Sequence, residues 1–446
     1  MKVETLKSII LVILIGFSLL LTVGLWYYQP EYESAEDGDS LIDETSIEGE
    51  EVEISSLIEP DQFIFHLDGA HYSFRNQADT RLAFNDMRDW TLSGLTTTEN
   101  REPQFNEGNW VELSFPTRIP SKMIPELFNV ESENEVPSGQ FNRMFITYNP
   151  DGAELMFTSD SESSAAFRAS IGPDDADQLA DSYSDEELLA EQTLFAEDED
   201  KRIYIPKDSV TVQEDSVETE RIDILPLKNE LFPDSPVVNV SEGSTSEQRL
   251  TDNSRRLETL GNGNRMEYTK LTPNTSDVQR ALNSYDLLER SVNFINTHEG
   301  WTDTFRLSEL NPSNSSIVYN MYFNDIPLLS SADDVHRIRL EYDGEEEQRY
   351  VRPLRDFDPS YPNPNETELP SGEDVAAFLE DSRQYNVNLI EDIKIGYTIA
   401  PQSQNYQQVY DLIPVWFVKE NGSWKEINEL SSSSGEGGVA HAVGTN

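Results

Sequence analysis

The arrangement of apolar and polar positions divides this chain into three stretches. Residues 9–28 read IILVILIGFSLLLTVGLWYY without a charge. At about 1.5 Å per residue such a run matches a hydrocarbon core of roughly 30 Å, so a transmembrane helix is predicted over residues 8–28. From about residue 57 to 430, short alternating runs and helix-spaced runs are separated by turn residues, as in a folded region. Residues 431–446, SSSSGEGGVAHAVGTN, carry no core-forming pattern and are expected to be a disordered tail.

Within the middle stretch, QFIFHLDGAHYSF predicts a hairpin turning at Asp68-Gly69, with His66 opposite His71. A helix is expected in TRLAFNDMRDW, a strand in NWVELSFPTRIP, a short helix in SKMIPELF and a hairpin in FITYNPDGAELMF. Ser184 and Glu187 form a capping box for a helix in DEELLAEQTLF, IDILPL and NRMEYTKL are strand candidates, and LKNELF is a short helix. A longer helix is predicted from Asp277 to Thr297, with Leu282, Tyr285, Leu288, Val292 and Ile295 on one face and Ser276 with Gln279 as its cap. Strands follow in FRLSEL, SIVYNMYF and HRIRLEYDGEEEQRYVRPL. The order then repeats: a helix EDVAAFLED capped by Ser371 and Asp374, then IEDIKIGYTI and IPVWFVKENGSWKEI, the latter turning at Asn421-Gly422.

The resulting fold class is α+β: one N-terminal transmembrane helix, then an external region of two to three domains built of antiparallel sheets with packed helices. The expected divisions are a cytoplasmic tip at 1–7, the span at 8–28, an acidic stalk at 29–56, and α+β domains at 57–200, 201–312 and 313–430, followed by the tail. Lys2 and Lys7 precede the span and acids follow it, so the positive-inside rule places the N-terminus in the cytoplasm and the remainder outside the cell membrane. Trp26, Tyr27 and Tyr28 fit the outer interface, with the two lysines as inner anchors. The bulky WYYQP exit stands where a cleaved leader would carry small residues. Ser18 and Thr22, flanked by Gly16 and Gly24, make one helix face small, a candidate contact for a partner helix, although small residues are also common in membrane helices generally.

Charge alters this picture more than composition does. The chain has 84 acidic and 32 basic side chains, a formal charge of -52, and no cysteine. Phosphate backbones would be repelled, which excludes a general nucleic-acid binder. Disulfides, thiolate nucleophiles and cysteine-ligated metals are ruled out. Residues 31–56 hold eleven acids and no base, which reads as a self-repelling stalk, and 171–200 hold twelve acids and no base. A calcium loop starting at Asp175 fails at Leu179 and lacks its glycine. The scattered acids suit a saline habitat, and a cation store is the rival reading. His66 and His71 are a candidate metal pair without a third ligand at recognisable spacing, so paired polar strand residues are the simpler reading. No HExxH pair, nucleophile elbow, P-loop or dinucleotide-binding glycine pattern is present, and no catalytic residue, metal or cofactor is expected.

The N-terminal MKVETLKSIILVILIGFSLLLTVGLWYYQPEYE resembles the start of the YycH family of low-GC Gram-positive bacteria. The resemblance continues through LIEPDQFIFH, WVELSFPTRIP, RIYIPKD, LKNELFPD, LTDNSRRLETL, MEYTKL, YVRPL, LPSGEDV and PVWFVKENGSW. It implies a non-enzymatic regulator of a cell-wall two-component system, restraining the sensor histidine kinase WalK (YycG) together with YycI through transmembrane-helix contacts. Some relatives are associated with raised kinase activity instead, which leaves the sign open. The alternative is an external ligand- or wall-binding module whose span is a passive tether. Expected partners are thus the membrane, WalK, YycI and a second copy in a homo-oligomer. If the span is an uncleaved anchor, mass spectrometry of the membrane fraction should find Met1–Pro30 retained; a new N-terminus near Tyr27–Glu31 would overturn the topology.

Overall fold

Gln62–Leu67 and Ala70–Phe74 form the first hairpin, and its turn residues Asp68 and Gly69 take positive φ values of 51° and 84°, as a two-residue turn between twisted strands requires. The rings of Phe63, Phe65 and Phe74 meet with centroids 5.1 to 5.4 Å apart, and all three are buried. The computed structural model describes residues 47–427 except 48, 102–108, 132–135, 150, 162–163, 183–185, 199–200, 234–237, 240–246, 253, 272–280, 332–334, 362–364 and 403–408. The first hairpin lies inside a ten-stranded sheet made of β1 (Gln62–Leu67), β2 (Ala70–Phe74), β3 (Thr91–Thr98), β4 (Trp110–Pro120), β5 (Asn129–Glu131), β6 (Gln140–Asn149), β7 (Gly152–Thr158), β8 (Ala166–Ile171), β9 (Leu189–Asp198) and β10 (Lys201–Pro206). Their order is 10-9-2-1-4-6-7-8-3-5, antiparallel throughout except for the parallel pair β3 and β5. Helix α1 (Gln77–Arg88), capped by Asn76, buries Phe84 and Met87; α2 (Pro173–Ser182) buries Ala176 and Leu179 while Asp174 and Asp175 occupy its first turn.

A second sheet takes in fourteen strands from both sides of residue 312. Arg265–Lys270, Glu346–Pro353, Arg337–Asp343, Ser316–Phe323, Ile326–Ser331, Ile390–Pro401, Val409–Glu420, Asp215–Arg221 and Arg355–Tyr361 are successive neighbours in it. The two helix-then-strand groups of the sequence therefore supply one continuous sheet. Three helices accompany it: α3 (Leu225–Leu231), α4 (Ser284–Asn296) and α5 (Gly372–Asp381). Ser371 caps α5 by accepting from Asp374 N, as its spacing predicts, and the turns at Asp343-Gly344 and Asn421-Gly422 join the strands expected on either side.

Four expectations are corrected. Ile326–Ser331 pairs in parallel with Ile390–Pro401, as β3 does with β5, so the sheets are mixed rather than purely antiparallel. Residues 189–195, expected as part of the helix in DEELLAEQTLF, lie in strand β9, because bonding to both β2 and β10 overrides the local helix signal. Within IDILPL no strand forms; Pro226 instead sits in the first turn of α3, where its missing N–H costs nothing. The long helix, expected to include Leu282, begins at Ser284, because Asn283 accepts from Asp286 N and supplies the cap; Asp277–Arg280 lie outside the described residues.

The span 8–28, its contact residues Gly16, Ser18, Thr22 and Gly24, the anchors Lys2, Lys7, Trp26, Tyr27 and Tyr28, the cap residues Ser184, Ser276 and Gln279, and the tail all lie outside the described residues. Among the described residues no helix is long and apolar enough to cross a membrane.

The two sheets approach where RIYIPKD meets LPSGEDV. A Cβ on Gly372 would lie 2.2 Å from Pro206 O and 2.8 Å from the Ile205 side chain, so only glycine lets α5 start against β10. Trp416 Nε1 donates to Pro370 O at 3.0 Å beside it. Gly372→Ala should therefore destabilise the protein by about 1–3 kcal/mol, the usual cost of overpacking, read as a lowered melting temperature. An unchanged melting temperature would show that this contact is soft.

Candidate functional site

Residues 47 and 49–61 form a strap that touches both sheets before the chain enters β1. Ile47 N donates to His298 O at 3.1 Å and Glu50 N to Trp301 O at 3.0 Å, where Glu50 and Trp301 make an isolated antiparallel bridge. Asn296, at the end of α4, accepts from Val52 N at 3.2 Å and from Trp301 Nε1 at 2.7 Å, and donates to Val52 O at 3.0 Å. A Cβ on Gly49 would lie 2.4 Å from Glu299 O, so the strap approaches this loop as closely as backbone allows. Further along, Arg88 of α1 donates to Ser55 O and Ile58 O at 2.9 and 3.0 Å, while Leu57 and Ile58 are buried. The first ten residues of this stretch fall within the acidic segment read as stalk.

Beyond Ile58 the strap becomes one wall of a cleft of about 890 Å³ between the sheets. Glu59 pairs with Arg306 at 3.0 Å; Arg306 also reaches Asp325 and covers the Tyr322 ring at 4.2 Å, and Asp325 accepts Arg81 of α1 at 2.9 Å. On the same wall Asp61 pairs with Lys394 at 2.9 Å, which also meets Asp392 at 3.0 Å. Burial raises Glu59 above the usual carboxylate range even against Arg306. Burial acts against the Lys394 ammonium too, but Asp392 and Asp61 outweigh it and keep the charge in place.

The histidine pair is found in the predicted register, His66 opposite His71 with their Nδ1 atoms 2.9 Å apart. His66 stacks on Trp110 with centroids 3.3 Å apart, and its Nε2 lies 3.4 Å from Glu112, which also has Arg202 at 3.4 Å and Arg143 at 3.9 Å. Burial would raise the Glu112 carboxyl, but His66, Arg143 and Arg202 together hold it below its ordinary range. Because the two ring nitrogens of His66 address different partners, the pair and Glu112 share no common point for a cation. Among the described residues no group of three or more His, Asp or Glu side chains is arranged to hold a metal.

Under the strap's docking loop lies a second buried group. Arg352 is fully buried and donates to Gly300 O at 2.8 Å, Pro353 O at 3.0 Å and, more distantly, Thr302 Oγ1 at 3.3 Å. His298 is 1% exposed, and burial together with Arg352 pushes its imidazole down to about 3. Asp303 accepts from Phe357 N and Thr302 Oγ1, each at 3.1 Å; enclosure of its carboxyl and the nearby Asp356 push it up to about 7.

These clusters are positioned by elements the sequence reveals, but their membership is not readable from it. Glu59, Asp61, Arg306, Asp325 and Lys394 are five charges among 116 Asp, Glu, Lys and Arg side chains, that is 84 plus 32. The one usable hint is that Glu59 and Asp61 belong to LIEPDQ and Arg352 to YVRPL, both stretches that carry the family resemblance.

Two groups here, the buried His298 and the partly buried Asp303, give opposite pH dependences. The raised Asp303 retains its proton in the fold after the unfolded chain has lost it, so its contribution falls as pH rises from about 4 to about 7. The depressed His298 contributes stability that is lost as pH falls from about 6.5 to about 3. Asp303→Asn keeps the hydrogen-bonding shape and removes only the first effect. Its melting temperature relative to wild type should rise steadily between pH 4 and pH 7.5; a constant difference across that range would place Asp303 in its ordinary ionised state.

Comparison with known proteins bears on the whole chain. Residues 4–187 match the family model of the YycH protein N-terminal domain and residues 200–434 that of its C-terminal domain. The chain is 23% identical over 445 residues to the two-component system WalR/WalK regulatory protein YycH of Bacillus subtilis (strain 168), covering 95% of this chain and 96% of that one. The crystal structure of YycH from Bacillus subtilis superposes with a TM-score of 0.68 at 19% identity, covering 86% of this chain and 99% of that one, which establishes the shared fold. With both domain models matched in order along nearly the full length, the chain belongs to the YycH family.

Proposed function

We propose that this chain is a membrane-anchored, non-enzymatic regulator of a WalR/WalK-type two-component system. The strap is the observation that carries this reading. Every force passing between the folded region and residues 8–28 runs through residues 47–61, and these residues are bonded to both sheets and to the cleft. A change in the spacing of the sheets thereby alters how the chain leaves the body toward the proposed anchor. The Bacillus subtilis relative is named as a regulatory protein of the WalR/WalK system, which supports the target. In this reading the anchor helix, acting with YycI, binds one signalling state of the WalK helix bundle better than the other and holds kinase activity down by that difference in affinity. A modest preference suffices, since about 1.4 kcal/mol is a factor of ten.

Replacing residues 8–28 by an unrelated apolar span of equal length separates this from the passive-tether reading. Altered output of a wall-stress reporter is expected; unchanged output would reject helix contact. At finer grain, Ser18→Leu/Thr22→Leu should weaken co-purification with the kinase or YycI, whereas Val12→Leu and Val23→Leu should not. Wild-type co-purification of the double variant would reject that face.

A further inference from the structure

We infer that the cleft between the two sheets is a binding site for a neutral, polyhydroxylated ligand, a short saccharide. Three amide side chains on its lining are held in the same way. Gln62 donates its Nε2 to Tyr204 O at 3.0 Å, Gln192 donates to Ala190 O at 3.1 Å, and Asn324 donates its Nδ2 to Asp215 at 3.0 Å. One N–H of each amide is thus engaged by the protein, which fixes the amide orientation and leaves its second N–H and its carbonyl oxygen without a partner among the described residues. Gln192 is only 8% exposed, but its oxygen keeps contact with solvent, so a ligand donor would replace water there. Thr80, 5% exposed on α1, and the Tyr322 hydroxyl also line the cleft with no hydrogen-bond partner among the described residues.

Charge narrows the ligand class. Arg306 and Lys394 are occupied by Glu59, Asp325, Asp61 and Asp392, and Arg75 donates to Leu189 O and Glu187 O. An anion entering the cleft would meet these acids without finding an uncommitted lysine or arginine. A cation is not called for either, because the central carboxylates already have their counter-charges. What remains is a set of preset neutral amides, each offering an oxygen and one N–H, beside two hydroxyls, which asks for several groups that both donate and accept. Sugar hydroxyls provide that on every ring, whereas a peptide backbone provides one donor per residue, matched by an acceptor. The volume of about 890 Å³ lies in the upper part of the range for small-molecule sites, roughly 300–1,000 Å³.

This inference deepens the regulatory reading by naming what the external region detects, and rests on it only for the consequence, since binding can be measured without any kinase. Full-length protein in detergent is titrated calorimetrically with the N-acetylglucosamine trimer, maltotriose, trialanine and inorganic phosphate. At least one saccharide should bind saturably at one per chain, and the two sugars separate an acetamido requirement from a plain hydroxyl one; phosphate and trialanine should give no saturable heat. Gln192→Leu and Thr80→Val should each weaken saccharide binding about three- to tenfold, the effect of losing one neutral hydrogen bond. Two independent variants keep the test valid if one of them fails to fold. No saccharide binding up to the solubility limit, saturable binding of trialanine instead, or saccharide binding unchanged in folded variants would each overturn the inference. Saccharide binding that leaves reporter output unchanged would uphold it and count against the regulatory coupling alone.

Discussion

Arg306 is a point at which three parts of the molecule meet. Its guanidinium takes Glu59 from the strap and Asp325 from the turn after Ser316–Phe323, lies over Tyr322, and through Asp325 is joined to Arg81 of α1 in the first sheet's layer. Such an enclosed network adds little net stability compared with apolar packing, because each ion gives up its hydration. Its strength lies in what breaking it does. Removing one partner leaves uncompensated charge in a poorly solvated place, a penalty of about 3–5 kcal/mol, so alternative placements of the strap are disfavoured more than the native one is favoured. Geometry, more than stability, is what the arginine supplies.

The same economy of cations runs through the molecule. With 32 basic residues for 84 acids, most carboxylates go without a counter-charge, and several of the arginines and lysines are placed where the acid is buried. Glu112 in the first sheet has Arg143 and Arg202; Glu420 has Lys425; Asp252 has Arg255 at 2.6 Å and is held well below the usual range, with the Ser254 and Arg255 hydrogen bonds overcoming its burial. The surface left behind is strongly acidic. That field opposes compaction at low salt and is screened within about 10 Å at 0.1 M, which makes the internal pairs far less sensitive to the medium than the exterior is.

Local signals were legible and long-range ones were not. Asp68-Gly69, Asp343-Gly344 and Asn421-Gly422 announce their hairpins because the turn chemistry is complete within two residues, and Ser371 with Asp374 announces α5 for the same reason. β9 was hidden because its strand state depends on β2 and β10, the former more than a hundred residues away, while its own residues resemble a capped helix. The parallel pairing of Ile326–Ser331 with Ile390–Pro401 joins segments separated by a helix and several strands, and no spacing rule specifies it. The cleft failed to appear for a different reason: Gln62, Gln192 and Asn324 are ordinary polar residues until the fold engages one amide N–H of each.

The strap and the cleft share Glu59 and Asp61, and this sharing has a thermodynamic consequence. Suppose the two sheets have two spacings, and a cleft ligand prefers one of them. The salt bridges to Arg306 and Lys394 then prefer one spacing too, since an ion pair is sensitive to sub-ångström separation in a poorly solvated place. Any state of the proposed anchor that pulls the strap toward that spacing would raise the ligand's affinity by the same factor by which the ligand favours that state. The coupling therefore needs no continuous rearrangement across either sheet. It needs only that Glu59 and Asp61 be held by partners on the second sheet while the chain before them is held by His298, Trp301 and Asn296, and both conditions are met in this structure.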